Sequence, residues 1–372
     1  MRRPTLRSTG TLGRTAGRAA GRATVLALAG TLLAGPLALA PAALGAEEEG
    51  IPRPYGDEVE PGSSFSDTAE LGPGTYSVPV PEPGEDQYFE IPRTDPDDVI
   101  WVGATLQLEE APSEYASWGV EATADGDSTQ VCNNPTQTIG ERSVVTTLFS
   151  ANRTGECRSA ETIVVRVANG VVVDEGEPVD TDAYYQLVVW AEPPVEDTSR
   201  LPAPNENSPW EPMEEPTGEP QEIEGSRTFS EATPIEDGYY ATTMRKGRPA
   251  IFAFPLTYVQ HAQVLAEMDG AADYFSGINA MWVSPLGGEL RTVKPSGGPT
   301  AELGLDRGDQ AGWSTPIVTY TNRQRAGGVG SLQGGTGFAD QTAAPAVFAG
   351  TYYLVLEIPV EFEDPLPDDL RT

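Results

Sequence analysis

The chain has 372 residues, with 23 basic and 56 acidic side chains and a formal net charge of −33. A surface of that sign repels nucleic acid and anionic lipid or polymer, so partners of those kinds are excluded. Gly and Pro together number 74, too many for a helical protein, because both interrupt helices.

Residues 1–46 read as a signal peptide. Arg2, Arg3, Arg7, Arg14, Arg18 and Arg22 form a basic start with no acid, and Ala23 to Ala40 is apolar but broken by Gly35-Pro36. Small residues at Ala43, Gly45 and Ala46 precede Glu47-Glu48-Glu49. That order predicts export with cleavage near Gly45 or Ala46, and the helix-breaking pair disfavours an uncleaved anchor. Without these residues the chain keeps 17 basic against 56 acidic side chains, a net of −39. No later apolar run is long enough to cross a membrane, so the expected location is extracellular, at or near the cell surface.

An acidic, Pro-rich lead follows, residues 47–64, with the composition of an extended or mobile segment. A repeat then begins. Phe65 to Tyr76 and Phe229 to Tyr240 both read Phe-Ser-Asp/Glu-x-x-x-Leu/Ile-x-x-Gly-x-Tyr, 164 residues apart. Gly84 to Pro92 and Gly247 to Pro255 share Gly-x-x-x-Tyr/Ile-Phe-x-Ile/Phe-Pro at an offset of 163. A third match sets Tyr185 to Val189 against Tyr352 to Leu356 at 167. Nearly constant offsets point to a duplication.

Residues 65–195 form the first module. Its strand candidates are Tyr76–Val80, Tyr88–Ile91, Val99–Leu108, Trp118–Thr123, Ser143–Phe149, Thr162–Val167, Val171–Val173 and Tyr184–Trp190. Residues 196–225 are a Pro- and Glu-rich linker, too rich in Pro and acid to form a core, so the two modules are expected to be separable; Trp210 and Met213 suggest partial docking. Residues 226–362 form the second module. Its candidates are Tyr239–Thr243, Ala250–Phe254, Ala262–Met268, Ile278–Val283, Glu289–Val293, Ile317–Tyr320 and Thr351–Ile358. Residues 363–372 are an acidic tail. Short strands between Gly, Pro and Asp turns, with no sustained 3.6 period, predict an all-β chain of two tandem β-sandwich, jelly-roll-like modules. Phe89 and Ile91, and likewise Phe252 and Phe254, are two apart and should face one core.

Cys132 and Cys157 are the only cysteines. In an exported chain an even count predicts a disulfide, and closing roughly 25 residues is worth about 3–4 kcal/mol. One thiol pair and one histidine, His261 in the other module, make a poor metal site. His261 is also the only base for a Ser-His-Asp set, and no Gly-x-Ser-x-Gly elbow accompanies it; it reads as a surface or strand-edge residue. Asp95-Pro96-Asp97-Asp98 and Asp125-Gly126-Asp127-Ser128 are the best oxygen-rich turns for calcium, neither in EF-hand form. The Gly-rich run Ala326–Phe338 lacks a phosphate-loop lysine. Trp118, Trp190, Trp210, Trp282 and Trp313 are candidates for stacking on sugar rings, and most sit in strand patterns that favour burial.

The Gly-x-Tyr entry strand, the Gly-x-x-x-Tyr-Phe strand, the hairpin Trp282 to Glu289 and the closing Gly350 to Leu356 resemble bacterial pre-peptidase C-terminal domains, β-sandwich modules of exported proteins. The chain also looks like the region after the von Willebrand factor type A domain in some actinobacterial exported proteins. No Asp-x-Ser-x-Ser motif is present, so type A adhesion chemistry is not implied. The expected function is a secreted, non-catalytic binding or scaffolding protein of the cell surface or envelope. A carbohydrate-binding protein and a hydrolase with an unrecognised site are the alternatives. No catalytic, cofactor or metal residue is assigned, and the expected partner is an extracellular protein or a polysaccharide.

Overall fold

A computed structural model describes residues 8–10, 55–109, 116–127, 129–133, 136–139, 142–151, 155–169, 183–195, 197, 199–202, 210, 213, 217–245, 247–267, 278–290, 310–322 and 346–358. In chain order, β1 is Ser8–Gly10. The first half then supplies β2 (Asp57–Glu58), β3 (Ala69–Glu70), β4 (Gly74–Pro79), β5 (Asp86–Pro92), β6 (Val99–Gln107), β7 (Ala116–Ala124), β8 (Val131–Asn133), β9 (Thr136–Ile139) and β10 (Val144–Ser150). A five-residue helix, α1 (Gly155–Ser159), precedes β11 (Thr162–Asn169) and β12 (Tyr184–Glu192). The second half supplies β13 (Gln221–Glu222), β14 (Thr233–Pro234), β15 (Gly238–Ala241), β16 (Ala250–Leu256), β17 (Gln263–Glu267), β18 (Asn279–Val283), β19 (Glu289–Leu290), β20 (Gln310–Ser314) and β21 (Gly350–Glu357). The chain is all-β, as its punctuation by Gly and Pro requires.

In the first half one sheet runs β10-β6-β12-β4-β2 and the other β3-β5-β11-β7-β8, with β9 also on β7. The core between them contains Phe89, Ile91, Val102, Trp118, Tyr185 and Leu187. In the second half β14-β16-β21-β18-β19 forms one layer, and its core holds Phe252, Phe254, Trp282, Trp313, Tyr352 and Leu354. The alternation read from the sequence therefore puts both Phe pairs inside.

The sequence repeat recurs in the pairing registers. Ala69 pairs with Phe89 and Thr233 with Phe252, both in parallel registers. Gly62 bridges Tyr88, and Ser226 bridges Ile251. Asp57 pairs with Tyr76, and Gln221 with Tyr240. Even the tyrosine of the motif repeats its contact: Tyr76 Oη donates to the Gly72 carbonyl at 2.9 Å, and Tyr240 Oη to Glu236 at 3.2 Å. Each of these pairs is related to its counterpart by the offsets 164 and 163. β2 and β13 come from stretches expected to be stalks. Their extended backbones instead lie on the edges of sheets, and Val59 and Ile223 pack against the two cores.

Two expectations need correction. The third sequence match does not superpose: β12 lies between β4 and β6, whereas β21 lies between β16 and β18, the place of β11. Both strands alternate apolar residues and carry tyrosine, which is enough to mimic homology. Ile317–Tyr320 is not a strand; β20 ends at Ser314 just before Thr315-Pro316, because proline cannot donate to a ladder. The two halves are in contact. They meet through the outer faces of β6 and β10 on one side and of β16, β21 and β18 on the other. Val144 joins Ile251, Met281, Val283 and Val355 in one buried cluster, and Trp101 meets Phe348 edge-on at 5.2 Å. The β18–β19 turn presses its Leu286 carbonyl onto Gly103, where a Cβ would lie 1.7 Å from that oxygen. Val171–Val173, Ala326–Phe338 and most of the linker lie outside the described residues.

Phe89→Ala and Phe252→Ala should each cost about 3–5 kcal/mol in denaturant unfolding, as truncations of core aromatics do. Ile251, on the opposite face of β16, is fully buried in the contact between halves. Ile251→Ala should therefore cost about 2–5 kcal/mol, whereas an exposed position there would leave stability almost unchanged.

Candidate functional site

Two places bring chemistry together: the contact between halves, and the outer face of β12. The first centres on Glu357, the last residue of β21, which is 3 % exposed. Alternation turns its side chain toward the first half, with Val355 and Tyr353. Its Oε1 accepts a hydrogen bond from the Ser143 amide at 2.8 Å, just ahead of β10. Burial raises the Glu357 carboxyl to about 7, while the Ser143 amide and the Arg142 charge oppose that rise. Around it, Arg142 pairs with Glu289 at 3.5 Å and Arg227 with Glu109 at 3.1 Å, each joining the two halves. The arrangement is a protonatable latch between sheets.

The second place is the strip Tyr184, Gln186, Val188 and Trp190, alternate residues of β12 that are partly covered or open. Trp190 is 45 % exposed, and Tyr55 is 67 % exposed with its carbonyl accepting from Gln186 Nε2 at 2.8 Å. An aromatic strip on one sheet face is the geometry a sugar-binding surface uses.

The remaining sequence candidates disperse. Cys132 and Cys157 are bonded, with Cα atoms 5.7 Å apart, which fits an oxidising compartment. Cys157 rides on α1, the helix the sequence reading missed. Arg93 holds that turn, donating to the carbonyls of Cys157 at 2.8 Å, Ala160 at 3.0 Å and Asp98. The acidic turns spend their oxygens on their own chain. Asp127 accepts from the Thr129 amide and hydroxyl and from Gln130, at 2.7–3.1 Å, and Asp125 accepts from the Thr162 amide at 3.0 Å. Among the described residues no group of three or more metal-ligating side chains converges. His261 lies just before β17, at the strand mouth as expected, and is buried rather than exposed. Trp118, Trp282 and Trp313 are core residues, and Trp210 is half-buried. Among the described residues no helix is long and apolar enough to cross a membrane.

No protein-family model matches the chain, and no curated protein matches it. Solved structures give only distant likenesses. A tripeptidyl peptidase 2 structure aligns at 8% identity and a TM-score of 0.22, over 79% of this chain and 24% of that one. This chain therefore spans about a quarter of that peptidase. The tandem CBM22 domains of Xyn10C from Paenibacillus barcinonensis align at 10% identity and 0.19, over 78% and 83%. A Parabacteroides distasonis protein described as secreted aligns at 9% identity and 0.19, over 80% and 86%. At these TM-scores none carries an argument about this chain.

Glu357 makes stability depend on pH. Its folded value lies above the unfolded 4.5, so the folded state holds the proton more tightly. Its contribution is full below about pH 4.5 and is lost as pH rises to about 7, a span worth about 3 kcal/mol. Unfolding curves of Glu357→Gln should lack this fall, while the unsubstituted protein shows it. For the disulfide, Cys132→Ser with Cys157→Ser should cost about 3 kcal/mol.

Proposed function

We propose that the chain is a secreted, non-catalytic binding or scaffolding protein of the cell surface or envelope, built of two tandem β-sandwich modules akin to pre-peptidase C-terminal domains. The observation that carries this reading is the contact between halves. Two cores locked sheet against sheet, with Gly103 under Leu286, form a stiff body suited to presenting surfaces at fixed spacing. The signal-like leader, the disulfide and the acidic exterior support export into an oxidising space.

The carbohydrate-binding alternative has one observation in its favour, the open strip of β12 with Trp190 and Tyr55. Co-sedimentation with washed envelopes of the source organism tests both. The chain should pellet with envelopes. Loss of pelleting after protease treatment of the envelopes identifies a protein partner. Pelleting that survives protease and falls at least about tenfold in Trp190→Ala identifies a polysaccharide, since an aromatic stacking contact is worth about 1–3 kcal/mol. A chain that stays in the supernatant throughout overturns the reading.

A further inference from the structure

Among the described residues, the second half shows no long strand matching β12 of the first half. In the first half β12 lies between β4 and β6, paired to both. The corresponding sheet of the second half has β13 and β15 where the first has β2 and β4, and β17 follows β16 as β6 follows β5. Among the described residues, the place between β15 and β17 is taken only by β1. Ser8, Thr9 and Gly10 pair antiparallel with Tyr240, Tyr239 and Gly238 and lie against β17. In the first half Leu187, Val188 and Val189 pair with Tyr76, Thr75 and Gly74. With the offset of 164, the two registers are identical. The position is therefore a strand-accepting slot of defined direction and register.

The segment seated there suits it poorly. Ser, Thr and Gly stand at positions that Leu187, Val188 and Val189 hold in the first half, where Leu187 and Val189 are fully buried. Ser8–Gly10 also belongs to the stretch read as a cleaved leader.

We propose that the slot between β15 and β17 binds an extended strand of another polypeptide, with apolar residues at alternate positions and basic flanks. The apolar pattern follows from β12, whose Tyr185, Leu187 and Val189 enter the core. The basic flanks follow from Glu236 and Asp237, which are exposed at the turn that leads into β15. Main-chain bonds to both edges give affinity, and the alternate side chains give specificity. The slot is separate from the outer face of β12, so its failure leaves the binding reading above in place.

The test uses the secreted chain, its N-terminus fixed by mass spectrometry, and a fluorescent peptide carrying the Tyr184–Glu192 sequence between arginine pairs. A control peptide has the same flanks, with serine at the positions of Tyr185, Leu187 and Val189. The first peptide should bind saturably at one per chain, at least about tenfold tighter than the control, because the control has lost its apolar burial. It should also slow amide exchange at Gly238–Ala241. Chain that still carries residues 1–46 should bind it more weakly. Equal binding of both peptides overturns the proposal. So does full protection of Gly238–Ala241 in the free monomer, which would mean the chain fills its own slot. Protection that appears only in a dimer overturns it in favour of a second copy.

Discussion

Strand β6 is covered on both faces, and much of the molecule follows from that constraint. Ile100, Val102, Ala104 and Leu106 point into the first core, while Trp101, Gly103, Thr105 and Gln107 point toward the second half. A strand buried twice cannot alternate apolar with charged residues, so it reads as a crowded run. The outer positions must be small or neutral enough to admit a second sheet. Gly103 is the tightest of them: the Leu286 carbonyl occupies the space that any side chain there would need. Gly287, with φ of +82°, gives the turn that delivers this carbonyl and lies against Thr105.

The same strand positions have been put to opposite uses in the two halves. In the first half Tyr88, Arg166 and Glu121 stand side by side across β5, β11 and β7, and Arg166 pairs with Asp86 at 2.8 Å and Glu121 at 3.9 Å. In the second half the matching row across β16, β21 and β18 is Ile251, Val355 and Met281. A row that carries the Arg166–Glu121 pair in the first half is, in the second, an apolar row that faces Val144. The inner rows stayed apolar in both halves.

That contrast explains what the sequence could reveal. Strands with one dry face announce themselves by period two, so Phe89 with Ile91 and Phe252 with Phe254 were legible, as were the strand-rich class and the cysteine pair. The docked face was not, because Ile251 and Val355 sit beside equally apolar inward neighbours and the period vanishes. Comparing the repeats position by position, Tyr88 against Ile251 and Glu90 against Ala253, carries the signal that a single strand hides. The closing match failed for a related reason. Tyr185 and Tyr352 both enter cores from alternating strands, and only the partner strands tell them apart. His261 and Glu357 were illegible as buried groups, since their burial comes from chain segments far away in sequence.

What holds the halves in one relation is shape more than charge. The ion pairs Arg142–Glu289 and Arg227–Glu109 cross the contact but are partly exposed, and such pairs contribute about 0–1 kcal/mol each. The chain as a whole carries a net charge of −33, so the two halves repel each other across the same contact. The apolar row of Ile251, Met281, Val283 and Val355, with Trp101 against Phe348, supplies the attraction that overcomes this. Salt screens charges separated by more than about 8–10 Å. It therefore removes more of the diffuse repulsion than of the two short pairs, and the halves hold together more firmly as ionic strength rises. Glu357 fits the same logic, because a carboxyl raised to about 7 carries less negative charge near neutral pH than an ordinary carboxylate would.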